Sequence, residues 1–297
     1  MSSSSSPSSS SSSSASPPIA IVGAGYLGAA VAAAWSGPVL AVTRSGRWRE
    51  GPVPPHVEVL GLDIGDDALD PGPLRTASAL VLCVAPGRTQ DRRALYVDGT
   101  RRLLHRIGAG RLERLVWVGS TSALPDRDAW LDERCSIEPS TERGIVQRQA
   151  EHVIVEHAQQ HGIPWLVLRL GGLYGPGRGV GRIYRRRHDG PLPGDGMAPT
   201  NLIHRDDAVA AVRAALQAPP TQQGVVHVVD DDHTPRRSMY AKIAALEGRA
   251  PVPWADPVPP GTAPHGKRVS NRRLKHWLGV RLQVPLHRLE PEPEPLP

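Results

Sequence analysis

Seven short apolar runs, separated by stretches of helical character, constrain the fold of this chain more than any other feature. The runs are rich in Val, Ile and Leu, and several of them end at a glycine or an acidic residue. Apolar strands that alternate with helices form βαβ units, whose parallel sheet is buried on both faces. The sequence therefore predicts a doubly wound α/β fold. The runs cover residues 19–23, 38–44, 56–63, 79–85, 114–120, 163–170 and 224–230.

The same alternation predicts the domain organisation. A parallel Rossmann core is expected over residues 18–170 and 201–230. The Gly/Pro-rich segment 171–200 and residues 231–287 interrupt the alternation, and we expect them to form a small substrate lobe at the carboxyl ends of the strands, where such folds bind ligands. The Ser-rich residues 1–17 and the Pro/Glu-rich residues 288–297 have the composition of disordered tails.

Charge narrows the range of partners. The formal net charge is +6, and nearly all of the cationic residues are arginines, since lysine occurs only at 242, 267 and 275. The densest basic cluster, RIYRRRH at 182–188, is typical either of a solvated loop or of an edge that binds an anionic substrate. No nucleic-acid-binding motif accompanies it, and we expect no nucleic-acid partner.

The cysteines and the apolar segments indicate the compartment. Cys83 and Cys135 are far apart in sequence, so they form neither a metal-binding spacing nor a disulfide framework, and we expect no metal. No apolar run approaches the ~20 residues that span a bilayer. The N-terminus lacks the basic and apolar regions of a secretory signal. A cytoplasmic protein without a membrane partner is the expectation.

The first apolar run leads into GAGYLG at residues 23–28, and a helical stretch follows. In this strand–loop–helix context, Gly23 permits a tight turn and Gly25 lets a pyrophosphate approach the backbone. Gly28 permits close packing of helix on strand. The helix N-terminus then faces the phosphates. We predict that these glycines, together with Tyr26 and Leu27, bind a dinucleotide.

The residues after the second run indicate which dinucleotide is bound. An acidic residue at this position would bind the ribose 2′-hydroxyl of NAD, whereas arginine suits the 2′-phosphate of NADP. The chain has Arg44 and Ser45, with Arg47 close behind, and no acidic residue before Glu50. The sequence therefore favours NADP over NAD. Asp63, after the third run, is placed either to meet the adenine edge or to cap the strand end.

Several further segments carry a resemblance to a known family. With the glycine loop, they make the chain resemble the short-chain dehydrogenase/reductase superfamily in its extended, NAD-dependent epimerase/dehydratase branch. The resemblance runs from about residue 18 to about residue 285, and its late part is similar to an atypical group of that branch. The segments are VDGT (97–100), GSTS (119–122), WLDE (130–133), RLGGLYGPGR (169–178), NLIHRDDAV (201–209) and GKRVSNRRLKHWLG (266–279).

The resemblance implies a catalytic set that this chain has only in part. In the family, a Ser or Thr after the fifth strand orients the substrate oxygen, and Ser120 with Thr121 matches it. The family's proton-exchanging Tyr and its Lys four residues later fall on Arg143 and Gln147. Arg143 cannot exchange a proton at neutral pH, but it can hold an anionic group or an oxyanion. Gln147 can hydrogen-bond the ribose hydroxyls of the cofactor.

The missing Tyr-x-x-x-Lys pair leaves the proton donor open. Tyr174, His204, Asp132 and Glu133 are candidate substitutes, and Tyr174 is our first choice for a catalytic role. Each also has a structural interpretation. Tyr174 is expected to pack its turn or to face the substrate, while His204 binds backbone or acts in catalysis. Asp132 and Glu133 are expected either to be solvent-exposed loop residues or to act in the site.

These observations predict an NADP(H)-binding oxidoreductase that transfers hydride to or from a small carbonyl, imine or hydroxyl substrate, which is anionic if the arginines contact it. Two alternatives stay open. One is a sugar-nucleotide epimerase or dehydratase, and the other is a non-catalytic NADP-binding sensor or scaffold. The superfamily commonly associates through the helices that flank the fifth strand, so the resemblance implies a homodimer.

Overall fold

All seven predicted runs form strands of one parallel sheet in the computed structural model, which describes residues 16–87, 89–181 and 190–284. The strands are β1 Ile19–Val22, β2 Val39–Thr43, β3 Val57–Gly61, β4 Ala79–Leu82, β5 Arg114–Ser120, β6 Trp130–Leu131, β7 Trp165–Leu170, β8 Gly172–Tyr174, β9 Leu202–His204, β10 Gly224–Val228 and β11 Arg268–Val269. The helices are α1 Gly28–Ala34, α2 Thr100–Ile107, α3 Glu142–His161, α4 Arg205–Gln217, α5 Arg236–Leu246 and α6 Arg272–Trp277.

Some predictions fall outside the described residues. The basic cluster 182–188 does so, as do the C-terminal tail 288–297 and residues 1–15 of the N-terminal tail. Within the described ranges, no helix combines the length and apolarity needed to cross a bilayer.

The order of the strands fixes where a ligand can bind. The large sheet has the order β10-β7-β5-β4-β1-β2-β3, and every neighbouring pair is parallel. The chain moves outward from β1 to β3 on one side and from β4 to β10 on the other. The order therefore reverses between β1 and β4, and the carboxyl ends of these two strands border the crevice in which doubly wound folds bind ligands.

Two apolar clusters cover the two faces of the sheet. One contains side chains of α2 and α3, and the other contains side chains of α1, α4 and α6. Burial on both faces explains why the strands are continuous apolar runs rather than alternating ones. The chain has no Phe, and Trp117 on β5 is the largest fully buried side chain of the core.

A smaller unit covers the carboxyl ends of the strands. β8 pairs with β9, and β6 pairs with β11. Its apolar cluster contains Tyr174, Val180, Met239 and Ile243. β6 lies inside the range 18–170 that we expected to be core, yet its partner β11 is near the chain's end. Strand pairing between distant segments is not visible in local sequence, which is why the simple boundary misses this contact.

The helical stretch before β5 begins with a π-helical turn over Ala94–Gly99 and continues as α2. The residues Leu95, Gly99, Leu103 and Ile107, spaced four apart, are all buried. Gly99 permits the close approach, because a Cβ there would lie 2.9 Å from the Ile64 carbonyl oxygen. π-Helical turns occur frequently at functional sites.

The helix α3 begins as its sequence predicts. The Thr141 hydroxyl accepts a hydrogen bond from the Gly144 N–H at 3.2 Å, and Glu142 lies in the first turn, where a negative charge is favourable. The helix ends at Gly162, whose φ of 66° is left-handed. Arg143 and Gln147 are therefore one turn apart at the start of a well-capped helix.

Candidate active site

A cleft of about 720 Å³ lies at the carboxyl ends of the sheet strands. It contains most of the residues that the sequence singled out for binding. The predicted residues that line it are Gly23, Gly25, Tyr26, Leu27, Arg44, Ser45, Asp63, Ser120, Arg143 and Gln147. Gly28 lies directly behind this wall, and Thr121 and Tyr174 do not line the cleft. In the described ranges, no three His, Cys, Asp or Glu side chains form a group that could hold a metal ion.

Each glycine of the loop after β1 has its own steric reason. Gly23 has a φ of 92°, and a Cβ there would lie 2.7 Å from the backbone of Cys83. Gly28 brings α1 against the loop, since a Cβ there would lie 2.4 Å from the Gly23 carbonyl oxygen. Gly25 faces open space, with nothing within 4 Å of the same position. The loop therefore has an uncovered backbone surface at Gly25.

The Tyr26 ring makes cation–π contacts with two arginines. Its ring centroid lies 5.5 Å from the Arg178 guanidinium carbon and 4.9 Å from that of Arg205. Burial raises the pKa of the Tyr26 hydroxyl, and the two guanidinium charges oppose the increase. Contacts of this kind stabilise a guanidinium over an aromatic face.

The end of β2 supplies positive charge to the cleft. Arg44, Ser45 and Arg47 are exposed and line the cleft. Glu50 lies in the same wall, but its carboxylate is 3.4 Å from the Arg205 guanidinium. Asp63 lines the cleft, and its Oδ1 accepts the Gly65 N–H at 2.9 Å as a turn cap, one of the two predicted roles.

Ser120 is the last residue of β5, and its side chain faces the cleft. Its Oγ accepts the Ser122 N–H at 3.2 Å, so its proton is free to be donated elsewhere. Thr121 is buried beside it, and its carbonyl oxygen is 3.3 Å from Lys267 Nζ. Lys267 also reaches the Leu124 carbonyl oxygen at 3.5 Å. A lysine thus supports the turn that follows Ser120.

The sequence could not reveal this use of Lys267, because the residue lies far from α3 in the chain. Burial lowers the pKa of its ammonium group, while the negative charge of Asp126 opposes that change. The long segment between β9 and β11 brings it to the site. The available signals were the scarcity of lysine and the place of Lys267 in the segment 266–279, which carries part of the family resemblance.

Arg143 faces the cleft and is exposed. Gln147, one turn later, is 4% exposed, and its Oε1 is buried with no hydrogen-bond partner among the described residues. Buried polar atoms are nearly always paired, so an unpaired one that lines a cleft indicates a missing ligand or water. The two positions that lack the expected Tyr and Lys are therefore both part of the cleft wall.

Tyr96, to which the sequence assigned no role, lies in the same wall. It belongs to the π-helical turn and packs edge-on against Trp117, with ring centroids 5.9 Å apart. Burial raises the pKa of its hydroxyl, and the charges of Arg92 and Arg143 and an interaction with the Gln147 side chain oppose the increase. Regular helical periodicity gives no reason to place Tyr96 in the cleft, because the π-helical turn changes which residues share a face.

The structure places Tyr174, our first choice of substitute donor, away from the cleft. Its side chain is 4% exposed, and its hydroxyl donates to the Val284 carbonyl oxygen at 3.2 Å. Its ring packs edge-on against His204 at 5.2 Å. His204 in turn accepts the Asp206 N–H through Nδ1 at 3.2 Å, as the cap of α4. Both residues have the structural role that the sequence left open.

The two acids of the WLDE segment also lie outside the cleft wall. The carboxylate of Asp132 accepts two bonds from the Arg134 guanidinium, at 3.0 and 2.7 Å. Glu133 accepts the backbone N–H of His227 at 3.0 Å, and burial raises the pKa of this carboxyl. Because β10 is an edge strand of the sheet, Glu133 satisfies a donor that lacks a strand partner.

A buried ion pair ties α3 to the sheet below the cleft. Arg169 on β7 is 1% exposed, and it donates two hydrogen bonds to the Glu151 carboxylate, at 2.8 and 2.7 Å. Glu151 is one turn beyond Gln147 on the same helix. The pair therefore sets the position of the helix face that carries Arg143 and Gln147.

Comparisons with known proteins agree with this architecture. The family model described as "NAD dependent epimerase/dehydratase family" matches residues 19–229. Protein YeeZ of Escherichia coli K12 is 27% identical over 277 residues, covering 90% of this chain and 96% of that protein. A 3-diazoavenalumate denitrifying reductase of Streptomyces is 38% identical over 177 residues, covering 53% of this chain and 54% of that protein.

A solved structure shares the fold over nearly the whole chain. It is UDP-glucuronic acid 4-epimerase from Bacillus cereus in complex with NAD, at 17% identity and a TM-score of 0.73. The alignment covers 91% of this chain and 92% of that one.

Proposed function

The chain belongs to the NAD-dependent epimerase/dehydratase family, and we propose that within it this protein is an NADP(H)-dependent oxidoreductase acting on a small carbonyl, imine or hydroxyl substrate. The observation that carries the proposal is one continuous cleft. It joins the glycine loop and the arginines after β2 to Ser120 and Arg143 at the other end. A bound nicotinamide supplies the hydride, and the residues of the chain align it with the substrate.

The glycine loop supports the dinucleotide part of the proposal. A pyrophosphate needs a stretch of backbone that no side chain covers, and the open space at Gly25 meets this need. Gly23 and Gly28 have no such space, so they serve to shape the loop and to bring α1 close.

The charges after β2 support NADP as the form that binds. Arg44 and Arg47 provide guanidinium groups and Ser45 a hydroxyl, all in the cleft wall. The acidic Glu50 is held by Arg205, which reduces its repulsion of a 2′-phosphate. The Bacillus cereus epimerase binds NAD, so the affinity for NADP(H) has to be compared with the affinity for NAD(H).

Ser120 and Arg143 support the substrate part. The Ser120 oxygen accepts the Ser122 N–H, and its separate O–H can donate to the reacting oxygen. The Arg143 guanidinium can stabilise negative charge on that oxygen or bind an anionic group of the substrate. Gln147 has a free amide oxygen that suits a ribose hydroxyl.

Cofactor titrations of an Arg44→Asp variant test the proposal. Loss of a charge-assisted hydrogen bond costs about 1.5–3 kcal/mol, so we expect NADPH to bind about 10- to 100-fold more weakly. Binding of NADH should change by less than about threefold. Arg111→Asp is the matched control, because Arg111 is exposed and outside the cleft wall. Equal losses for both cofactors in Arg44→Asp would contradict the NADP preference.

Turnover assays separate the proposal from its alternatives. The wild-type protein is expected to oxidise NADPH with at least one member of a panel of carbonyl and imine substrates. Epimerisation of a sugar nucleotide without net cofactor consumption would favour the epimerase, which the Bacillus cereus neighbour represents. Tight NADPH binding without any turnover would favour the sensor or scaffold.

A further inference from the structure

The cleft lacks a proton donor at the positions where the family resemblance placed one. Arg143 keeps its proton at neutral pH, and Gln147 has none to give. Tyr174, His204, Asp132 and Glu133 do not line the cleft. Among the described residues, two tyrosines do line it. Tyr26 belongs to the glycine loop and its ring contacts the guanidinium groups of Arg178 and Arg205. Tyr96 lines the cleft together with Ser120, Arg143 and Gln147.

We propose that Tyr96 is the proton donor of this cleft, with Gln147 and Arg143 as positioning residues around its hydroxyl. This inference rests on the proposed oxidoreductase function and deepens it. Tyr96, in the π-helical turn before α2, would then supply the proton that the family's tyrosine supplies from α3. The first reason is placement, because α3 packs against both the π-helical turn and β5, and Tyr96, Ser120, Arg143 and Gln147 line the same cleft.

Packing holds the Tyr96 ring in place. The ring is 9% exposed, and it meets Trp117 edge-on at an interplanar angle of 78°. A Cβ at Gly119 would lie 2.7 Å from Trp117 Nε1 and 3.3 Å from Gln147 Oε1. The absence of a side chain at Gly119 therefore lets Trp117 and Gln147 both approach the end of β5, on the side that Tyr96 faces.

The electrostatics suit a donor rather than a base. Burial raises the pKa of Tyr96, so the phenol keeps its proton at neutral pH until a stronger base forms next to it. The charge of Arg143 favours the phenolate that remains after transfer. The Gln147 side chain likewise opposes the increase in the Tyr96 pKa, and its Oε1 has no hydrogen-bond partner among the described residues.

The step balances for reduction of a carbonyl. A reduced nicotinamide dinucleotide bound in the cleft would supply a hydride, and so two electrons, to the carbonyl carbon, and the C=O π pair would move to oxygen. That oxygen takes the proton of Tyr96 Oη and becomes an alcohol, while Tyr96 becomes a phenolate. Solvent returns the proton to Tyr96 through the open cleft. An imine nitrogen follows the same scheme and becomes an amine.

Kinetics of Tyr96→Phe give the first test. Positioned acid catalysis contributes about 10²- to 10⁴-fold, so kcat should fall by that factor while the Kd for NADPH stays within about twofold. Rate loss at high pH should also disappear, because no phenol remains to ionise. Tyr174→Phe tests the rival donor and should lose far less. An unchanged kcat in Tyr96→Phe, or a larger loss in Tyr174→Phe, overturns the proposal.

Tyrosine NMR gives a test that needs no turnover. The chain has five tyrosines, so ¹³C-labelling of the phenol carbon followed by comparison with Tyr96→Phe assigns the signal of Tyr96. Its pKa should rise in Arg143→Gln, and its signal should shift when NADPH is added. A signal that responds to neither overturns the role of Tyr96 even if the enzyme is active. A responsive Tyr96 in a protein that turns over no carbonyl or imine refutes the oxidoreductase function instead.

Discussion

Replacing Glu151 by Gln should destabilise the protein far more than the same change at Glu138, an exposed residue that precedes α3. The carboxylate of Glu151 accepts two hydrogen bonds from Arg169, which is 1% exposed. An amide of the same size accepts only one of them and leaves the guanidinium without its counter-charge. Removing one partner of a buried pair costs about 3–5 kcal/mol. We expect the lower end, about 3 kcal/mol, because one bond remains.

A matched control involves Arg148, which lies one turn earlier on the same side of the helix, 3.6 Å from the Glu151 carboxylate. Arg148 pairs with Glu138 at 2.9 Å, but the Glu138 side chain is 68% exposed. Glu138→Gln should therefore cost less than about 1 kcal/mol. The chemical change is identical in the two variants, so the difference in the free energy of unfolding isolates burial.

Urea denaturation and calorimetry measure both effects. A loss of about 3 kcal/mol should lower the Tm by about 6–12 °C in a protein of this size. The double variant Glu151→Leu/Arg169→Met removes both charges and should be much closer to wild type than Glu151→Gln. Equal destabilisation in Glu151→Gln and Glu138→Gln would refute the reasoning, as would a double variant less stable than the single one.

Two further predictions concern the glycine loop and a buried histidine. Gly28→Ala should lower the free energy of unfolding by about 1–3 kcal/mol through its clash with the Gly23 carbonyl. Gly25→Ala should leave stability within about 0.5 kcal/mol but weaken NADPH binding at least about tenfold. Calorimetry and cofactor titration check both variants, and tight NADPH binding by Gly25→Ala would contradict the pyrophosphate position. Burial lowers the pKa of His227 from 6.5 to about 3, so over this range the unfolded chain binds a proton that the folded one does not. Stability should therefore fall by up to about 1.4 kcal/mol per unit as pH drops through this window, and parallel urea-denaturation profiles for wild type and His227→Gln would contradict this.

The fold could be predicted from local patterns, because a parallel sheet that is buried on both faces gives strands that are continuous apolar runs. Every continuous apolar run became a strand of the sheet, and the context of Gly23, Gly25 and Gly28 indicated three different steric roles. Thr141 and Gly162 likewise cap α3 through short-range geometry. These features depend on residues close together in the chain.

The catalytic end was less accessible, because it is assembled from segments that are far apart. Tyr174 sits beside a turn whose sequence suggested a substrate contact, but its hydroxyl donates to the carbonyl oxygen of Val284, 110 residues later in the chain. Tyr96 was overlooked because a π-helical turn breaks the 3.6-residue periodicity on which helix faces are predicted.

The sequence by itself determined the seven strands, the shape of the glycine loop and the loss of the Tyr-x-x-x-Lys pair, since each is a matter of residue identity and near-neighbour spacing. Only the tertiary structure decided which side chains surround the two positions that lack the Tyr and the Lys. It turned Arg143 and Gln147 toward the cleft, brought Lys267 under the turn after Ser120, and placed Tyr96 beside them. The physical reason is that parallel strands bring their carboxyl ends to one edge, whatever the distance between them along the chain.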